Sequence, residues 1–236
     1  MINKELLRGL AEKWGIILTN QQLTRFDEYA QILVDYNKKI NLTAIEEPDQ
    51  IVIKHFLDSL SLLPHVDMPE NATFFDIGAG AGFPSVPLAI VRQDLTVVQL
   101  EAREKKAEFL KIVGGELYLN TKTLVGRAEE LAHQHKWREN FDIVAARAVA
   151  DMRVLSELAL PFVKMGGIFV AMKGPSIKEE LNDALHSIQQ MGGRVEEIVS
   201  LQLLPQQERT LIIIKKIAQT PPQFPRSFTK IKKSST

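Results

Sequence analysis

The 236-residue chain has no cysteine. Disulfides, thiolate zinc sites, iron–sulfur clusters and cysteine nucleophiles are therefore all excluded. Aromatic residues make up only 7% and form no RNA-recognition signature. No long uncharged apolar run occurs at the start, because Met1 to Leu18 already carries Lys4, Glu5, Arg8, Glu12 and Lys13. That pattern fits neither a leader peptide nor a spanning helix, so a cytoplasmic protein without a membrane partner is expected. Metal-binding spacing is missing too. His133 and His135 are two apart and would diverge on a helix, while His65 and His186 have no sequence partner. No metal is expected. Net charge is zero, with 29 basic and 29 acidic residues, yet it is unevenly spread. Seven of the basic residues and none of the acidic ones lie from Arg209 onward, which leaves 22 basic against 29 acidic before it. Such asymmetry points to a polyanion or to a solvated tail.

With 45% hydrophobic and 25% charged residues, the composition is that of an ordinary globular chain. The first 70 residues read as helices. Leu23, Phe26, Tyr29, Ile32, Leu33, Tyr36 and Ile40 recur at spacings of three and four, behind an N-cap at Thr19 or Asn20. A second helix is expected over 49–63, ending at Pro64. From residue 72 the pattern changes. Short apolar runs at 73–77, 96–101, 123–125, 141–146 and 168–172 alternate with helical stretches at 87–92, 104–117, 128–133 and 151–162. Strand–helix alternation of that kind predicts a parallel sheet covered on both faces. After a helix at 177–191, Gly192-Gly193 opens a strand at 194–201, and 205–209 links it to another at 210–215 as a hairpin. The expected organisation is thus a helical extension (1–70), an α/β core (71–217) and a basic tail of low order (218–236) that starts at Pro221-Pro222.

The most informative segment is Asp76-Ile77-Gly78-Ala79-Gly80-Ala81-Gly82-Phe83-Pro84, between the first strand and its helix. Glycines there permit a tight turn and let a ligand lie on backbone N–H groups at a helix start. Glu101 closes the second strand, 23 residues after Gly78, where a carboxylate can accept both ribose hydroxyls of an adenosine. Dinucleotide enzymes want G-x-G-x-x-G, but Phe83 fills the third glycine's slot and Asp76 adds an acid before the loop. A carboxylate suits a cationic ligand better than a pyrophosphate. S-adenosylmethionine, with its sulfonium and ammonium groups, is such a ligand, and Asp76, Gly78, Gly80, Gly82, Phe83 and Glu101 are its candidate contacts. The next strands all end in polar groups on the same rim: Gly126-Arg127-Ala128-Glu129, Ala146-Arg147-Ala148-Val149 and Lys173-Gly174.

On these segments, together with Asn41-Leu42-Thr43, His55…Asp58-Ser59 and Lys105-Lys106-Ala107-Glu108-Phe109-Leu110, nearly the whole chain resembles the glucose-inhibited division protein B family. These are bacterial 16S small-subunit ribosomal RNA (guanine-N7) methyltransferases. The resemblance implies a class I (Rossmann-like) methyltransferase fold, a seven-stranded, mostly parallel sheet ending in an antiparallel hairpin. It also implies S-adenosylmethionine as donor, with Gly78, Phe83, Ala128, Glu129 and Arg147 lining it. The partner would be 16S rRNA or the small subunit, and the enzyme a monomer. Asn41, His55, Asp58, Ser59 and Arg226 are the candidate RNA-side residues, and Arg147 and Lys173 the candidates for positioning base or phosphate. Two segments depart from the family pattern. Glu101-Ala102 stands where an Asp-Ser pair is usual, and the tail 224–230 lacks the usual glycine and later proline.

Absences narrow the chemistry further. Pyrimidine C5 methylation needs a cysteine, and amine methylation an Asn/Asp-Pro-Pro-aromatic turn where this chain reads Ala145-Ala146-Arg147-Ala148. Guanine N7 carries a free lone pair, so its methylation is mainly a matter of positioning. Three other readings compete: a small-metabolite methyltransferase, a nicotinamide-dependent oxidoreductase, and a non-catalytic binding module.

Overall fold

The computed structural model describes residues 1–233. Seven strands form one sheet: β1 (Thr73–Ile77), β2 (Thr96–Glu101), β3 (Thr121–Val125), β4 (Phe141–Arg147), β5 (Val163–Lys173), β6 (Gly193–Leu204) and β7 (Gln207–Lys216). Their order is β3-β2-β1-β4-β5-β7-β6, parallel through β5, with β7 antiparallel to both β5 and β6. The expected mostly parallel sheet with a terminal hairpin is the one found.

The apolar runs are continuous because both faces are covered. Phe75, Ile77, Val144 and Phe169 enter one core, and their sequence neighbours Phe74, Ile143, Ala145 and Val170 enter another on the opposite face. The helices are α1 (Lys4–Glu12), α2 (Asn20–Asn37), α3 (48–60), α4 (Ser85–Val91), α5 (Glu104–Glu116), α6 (Ala128–Leu131), α7 (Met152–Ala159), α8 (Lys178–Gln190) and α9 (Phe228–Lys233). Thr19 caps α2 in a reciprocal capping box with Gln22. The helical extension is built onto the sheet's loops. Leu7, Phe26, Tyr29 and Phe56 share one core with Ala79, Ala81 and Phe83 of the glycine loop and with Leu110 and Val113 of α5.

Two expectations need correction. The hairpin link is only two residues long, because Gln206 takes a left-handed turn (φ 68°) and Glu208 and Arg209 stay in the ladder opposite Gln202 and Leu201. The tail from residue 218 is laid on the body as far as it is described, rather than being of low order; residues 234–236 lie outside the described residues. Arg138 donates to the carbonyls of Thr220, Pro221 and Phe224 at 2.8–3.1 Å, and His133 Nε2 lies 2.8 Å from the Pro225 oxygen. Phe224 and Ile231 are buried in the β4–α7 core. Prolines break regular structure locally, but distant side chains satisfy the carbonyls they leave free.

Candidate active site

The strand order reverses between β1 and β4, and the crevice at their carboxyl ends is where open α/β sheets bind ligands. β1 ends at Ile77, and the next residues turn sharply. The amides of Gly78 and Ala79 both donate to Leu100 O, at 2.8 and 3.0 Å. Gly80 N donates to Glu101 Oε2 at 3.0 Å, and Glu101 Oε1 accepts from Arg103 N at 2.8 Å. Each Glu101 oxygen thus holds one backbone amide and keeps a further lone pair. Gly82 has φ +95°, and a Cβ there would come within 2.5 Å of Val86 Cγ2 and 3.0 Å of Tyr29 Oη, so only glycine fits. The Tyr29 hydroxyl donates to Ala81 O, so α2 pins the loop from outside.

Asp76, the residue before Ile77, is completely buried. Its Oδ2 accepts the Ser85 amide at 3.2 Å, while Oδ1 has no partner. Burial pushes the carboxyl up to about 6, against the pull of its Ser85 hydrogen bonds and of the Arg147 charge. A buried oxygen without a donor is costly in a folded chain, and here it sits beneath a glycine loop. The arrangement suits a positively charged ligand.

The helical side supplies the rest. Phe83 packs against both: the His55 ring stacks on it at 4.3 Å, the Arg147 guanidinium lies 4.8 Å from its centroid, and Arg147 Nη2 lies 3.3 Å from His55 Nδ1. Arg147 donates to Asp58 Oδ2 at 2.8 Å and to Lys54 O at 3.0 Å. Arg209 takes the other Asp58 oxygen at 3.1 Å. The Lys54 carbonyl lies within Val52–Leu57, a π-helical stretch of α3 whose wider turns release carbonyls from the α-pattern. His55 Nε2 bonds Thr43 Oγ1 at 2.9 Å. Burial first, and the Arg147 charge next, lower its pKa to about 3, so the imidazole is neutral. A cavity of about 330 Å³ opens among Ile45, His55, Asp58, Arg147, Lys173 and Arg209.

Asp76, Gly78, Gly80, Phe83, Glu101 and Arg147 lie toward the carboxyl ends of β1, β2 and β4, whereas Gly82 packs against Val86, Tyr29 and Leu110. Ala128 and Glu129 start α6, one residue beyond Gly126, whose amide donates to Glu101 O at 3.1 Å. His55 and Asp58 face the cavity. Ser59 does not contribute a free hydroxyl: it is buried and donates to His55 O at 2.6 Å. Asn41 is exposed, and the bonds that shape its loop come from Asn37, which holds Leu42 N, Thr43 N and Thr43 O. Lys173 Nζ is engaged by Ala150 O and Glu180. Arg226 lies away from the crevice, in a two-pronged pair with buried Glu157 of α7. Sequence reasoning missed Tyr29, Thr43, Lys54 and Arg209. Tyr29 read as one more apolar stripe residue and Arg209 as tail charge, and no local spacing ties either to the glycine loop.

Residues 22–212 match the family model described as rRNA small subunit methyltransferase G. The chain belongs to that family. It is 39% identical to ribosomal RNA small subunit methyltransferase G of Clostridium botulinum (strain Okra / Type B1) over 231 residues, 97% of each chain. It is 41% identical to the protein of that name from Pelotomaculum thermopropionicum over 224 residues, 94% of each. Solved structures share the fold at much lower identity. A SAM-dependent O-methyltransferase of Thermotoga maritima aligns with TM-score 0.52 and 18% identity, covering 80% of this chain and 72% of that one. The fibrillarin pre-rRNA processing protein of Methanococcus jannaschii aligns with TM-score 0.50 and 18% identity, covering 64% and 70%. No helix among the described residues is long and apolar enough to cross a membrane.

Proposed function

We propose that the chain transfers the methyl group of S-adenosylmethionine to N7 of a guanine in small-subunit ribosomal RNA. The observation that carries the donor assignment is Asp76, a buried carboxylate with an unpartnered oxygen under the glycine loop. The donor supplies an electrophilic methyl on a sulfonium. Asp76 offsets positive charge on it, Glu101 accepts from its ribose hydroxyls, and Ala128 and Glu129 border the nucleoside end. Phe83 forms the floor between the donor loop and the cavity beneath Arg147 and His55.

The choice of N7 is supported by what the cavity does not offer. Asp58 has both oxygens engaged by arginines, and the neutral His55 is stacked and bonded to Thr43. No free general base faces the cavity among the described residues that line it. A nucleophile that carries no proton needs none, and positioning of reactants can supply about 7–11 kcal/mol. Arg147 and Arg209 hold the rim rigid around the base. The test is incubation of the chain with labelled donor and small ribosomal subunits lacking the modification. Label mapping to guanine N7 is the expected result; label on another base, or on free metabolites only, would overturn the assignment.

A further inference from the structure

The turn between β4 and α7 contains a network that the proposed reaction leaves unused. Lys173, the last residue of β5, donates to Ala150 O at 2.6 Å and to Glu180 Oε1 at 2.7 Å. The same Glu180 oxygen accepts the amide of Met152 at 2.6 Å. One ion pair therefore grips the chain on both sides of Asp151. At its other end the turn is fixed by Arg147 on Lys54 O and Asp58. Between these anchors, Ala148 takes φ +56° and Val149 lies over the donor loop: a Cβ on Gly78 would meet Val149 Cγ2 at 2.9 Å. The turn thus bears on the glycine loop where β1 and β4 part.

We propose that Glu180 is a positioning residue for methyl transfer: with Lys173 it sets the 148–152 turn against Gly78, and neither side chain contacts RNA. This inference rests on the reading of the crevice as donor and base site. The side chains of Lys173 and Glu180 are 13% and 33% exposed, so solvent partly screens the pair on its Glu180 side. What it adds is placement of two backbone groups, Ala150 O and Met152 N, beside the reacting centre, where a shift of about 1 Å can cost 10²-fold in rate. The Lys173 charge is neutralised by Glu180, which argues against a role in gripping phosphate.

The test is a double-mutant cycle of Lys173→Met and Glu180→Ala, read by single-turnover methyl transfer at saturating S-adenosylmethionine and RNA. Each single change should slow transfer about 10²-fold, and the double variant no more than either, because the two act as one unit. RNA affinity and its salt dependence should stay at wild-type values. Glu180→Gln keeps an acceptor for Met152 N and should retain rates within about tenfold of wild type; it serves also where Glu180→Ala does not fold. Hydrogen exchange on the free protein should show faster exchange at Met152 in Glu180→Ala. Additive losses, unchanged exchange, or weaker RNA binding by Lys173→Met beside an active Glu180→Ala would each overturn the inference. A wild-type chain that transfers no methyl sinks the proposed function instead, and the exchange measurement still decides whether Glu180 holds the turn.

Discussion

The two halves of the crevice are built in different ways. The donor half is nearly contiguous: Asp76, the three loop glycines and Phe83 come from eight consecutive residues, and Glu101 ends the adjacent strand. The base half is assembled from distant segments, with Thr43, Lys54, His55 and Asp58 from the helical extension, Arg147 at the end of β4 and Arg209 from the final hairpin. The donor half is shaped mainly by backbone conformation and one buried charge. The base half is shaped by a side-chain network around one carboxylate. Damage to the first should therefore appear in donor affinity, and damage to the second in transfer rate.

The largest expected effect that would sharpen this contrast is at Asp76. Asp76→Asn removes a charge-assisted contact worth about 1.5–3 kcal/mol, so S-adenosylmethionine should bind roughly 10–100-fold more weakly by calorimetry. Its demethylated product, which lacks the sulfonium charge, should lose less. Wild-type donor affinity should also fall about tenfold per pH unit below about 6, as the carboxyl protonates. Stability should move the opposite way. The folded-state pKa of Asp76, about 6, lies above the ordinary 3.8, so the folded state binds the extra proton. The cost of ionising it is fully present above about pH 6 and gone below about 4. Asp76→Asn should accordingly raise Tm by a few degrees at pH 7, and the gain should vanish on acidification. A variant with weakened donor binding and no gain in Tm would contradict the burial argument.

Next comes Asp58→Asn, which leaves the Arg147 and Arg209 guanidiniums without their shared carboxylate. Loss of one partner of a buried pair costs about 3–5 kcal/mol, and urea unfolding should read an effect near the lower end, since Arg209 is 28% exposed. Transfer rate should drop while donor affinity changes by less than about threefold, within the ordinary scatter of distant sites. If donor affinity fell as far as in Asp76→Asn, the division between the two halves would be wrong. A milder test concerns the loop itself. Gly82→Ala should lower both stability and donor affinity because Val86 and Tyr29 crowd its Cβ. At Gly80 a Cβ meets only Gly78 O at 3.7 Å, so Gly80→Ala should cost only the left-handed strain, about 1 kcal/mol.

The smallest effect is expected on α9. Lys230 and Lys232 are exposed on a helix anchored by buried Ile231 and by the Arg226–Glu157 pair. Replacing both lysines by Gln should reduce the slope of log affinity for RNA against log salt by about 1–2 and leave Tm unchanged. An unaltered slope would make this helix a structural strap only.

The legibility of these regions follows the same division. Glycine spacing, the acid before the loop and the acid that ends the next strand lie within one β–α–β unit, so the half proposed as the donor site could be read from local sequence. Burial on both faces made the parallel strands readable as continuous apolar runs, and the terminal hairpin was visible from the Gly192-Gly193 turn and the apolar run at 210–215. The low order expected for the tail was misplaced because it depended on partners far along the chain, whereas the positioning role expected for Lys173 turns on an ion pair with Glu180 only seven residues away. Glu180 neutralises Lys173, and Arg138 and Glu157 hold 220–226.

By itself, then, the order of residues determined the sheet, its helical cover and the chemical class of the donor loop, because those features are written in short-range periodicity and in the conformational freedom of glycine. Folding in three dimensions decided which charges are spent on one another and which stay available. That choice brings Asp58 between two arginines and leaves one oxygen of Asp76 bare. It depends on contacts spanning 89 and 151 residues, and no local pattern encodes which distant charges will meet.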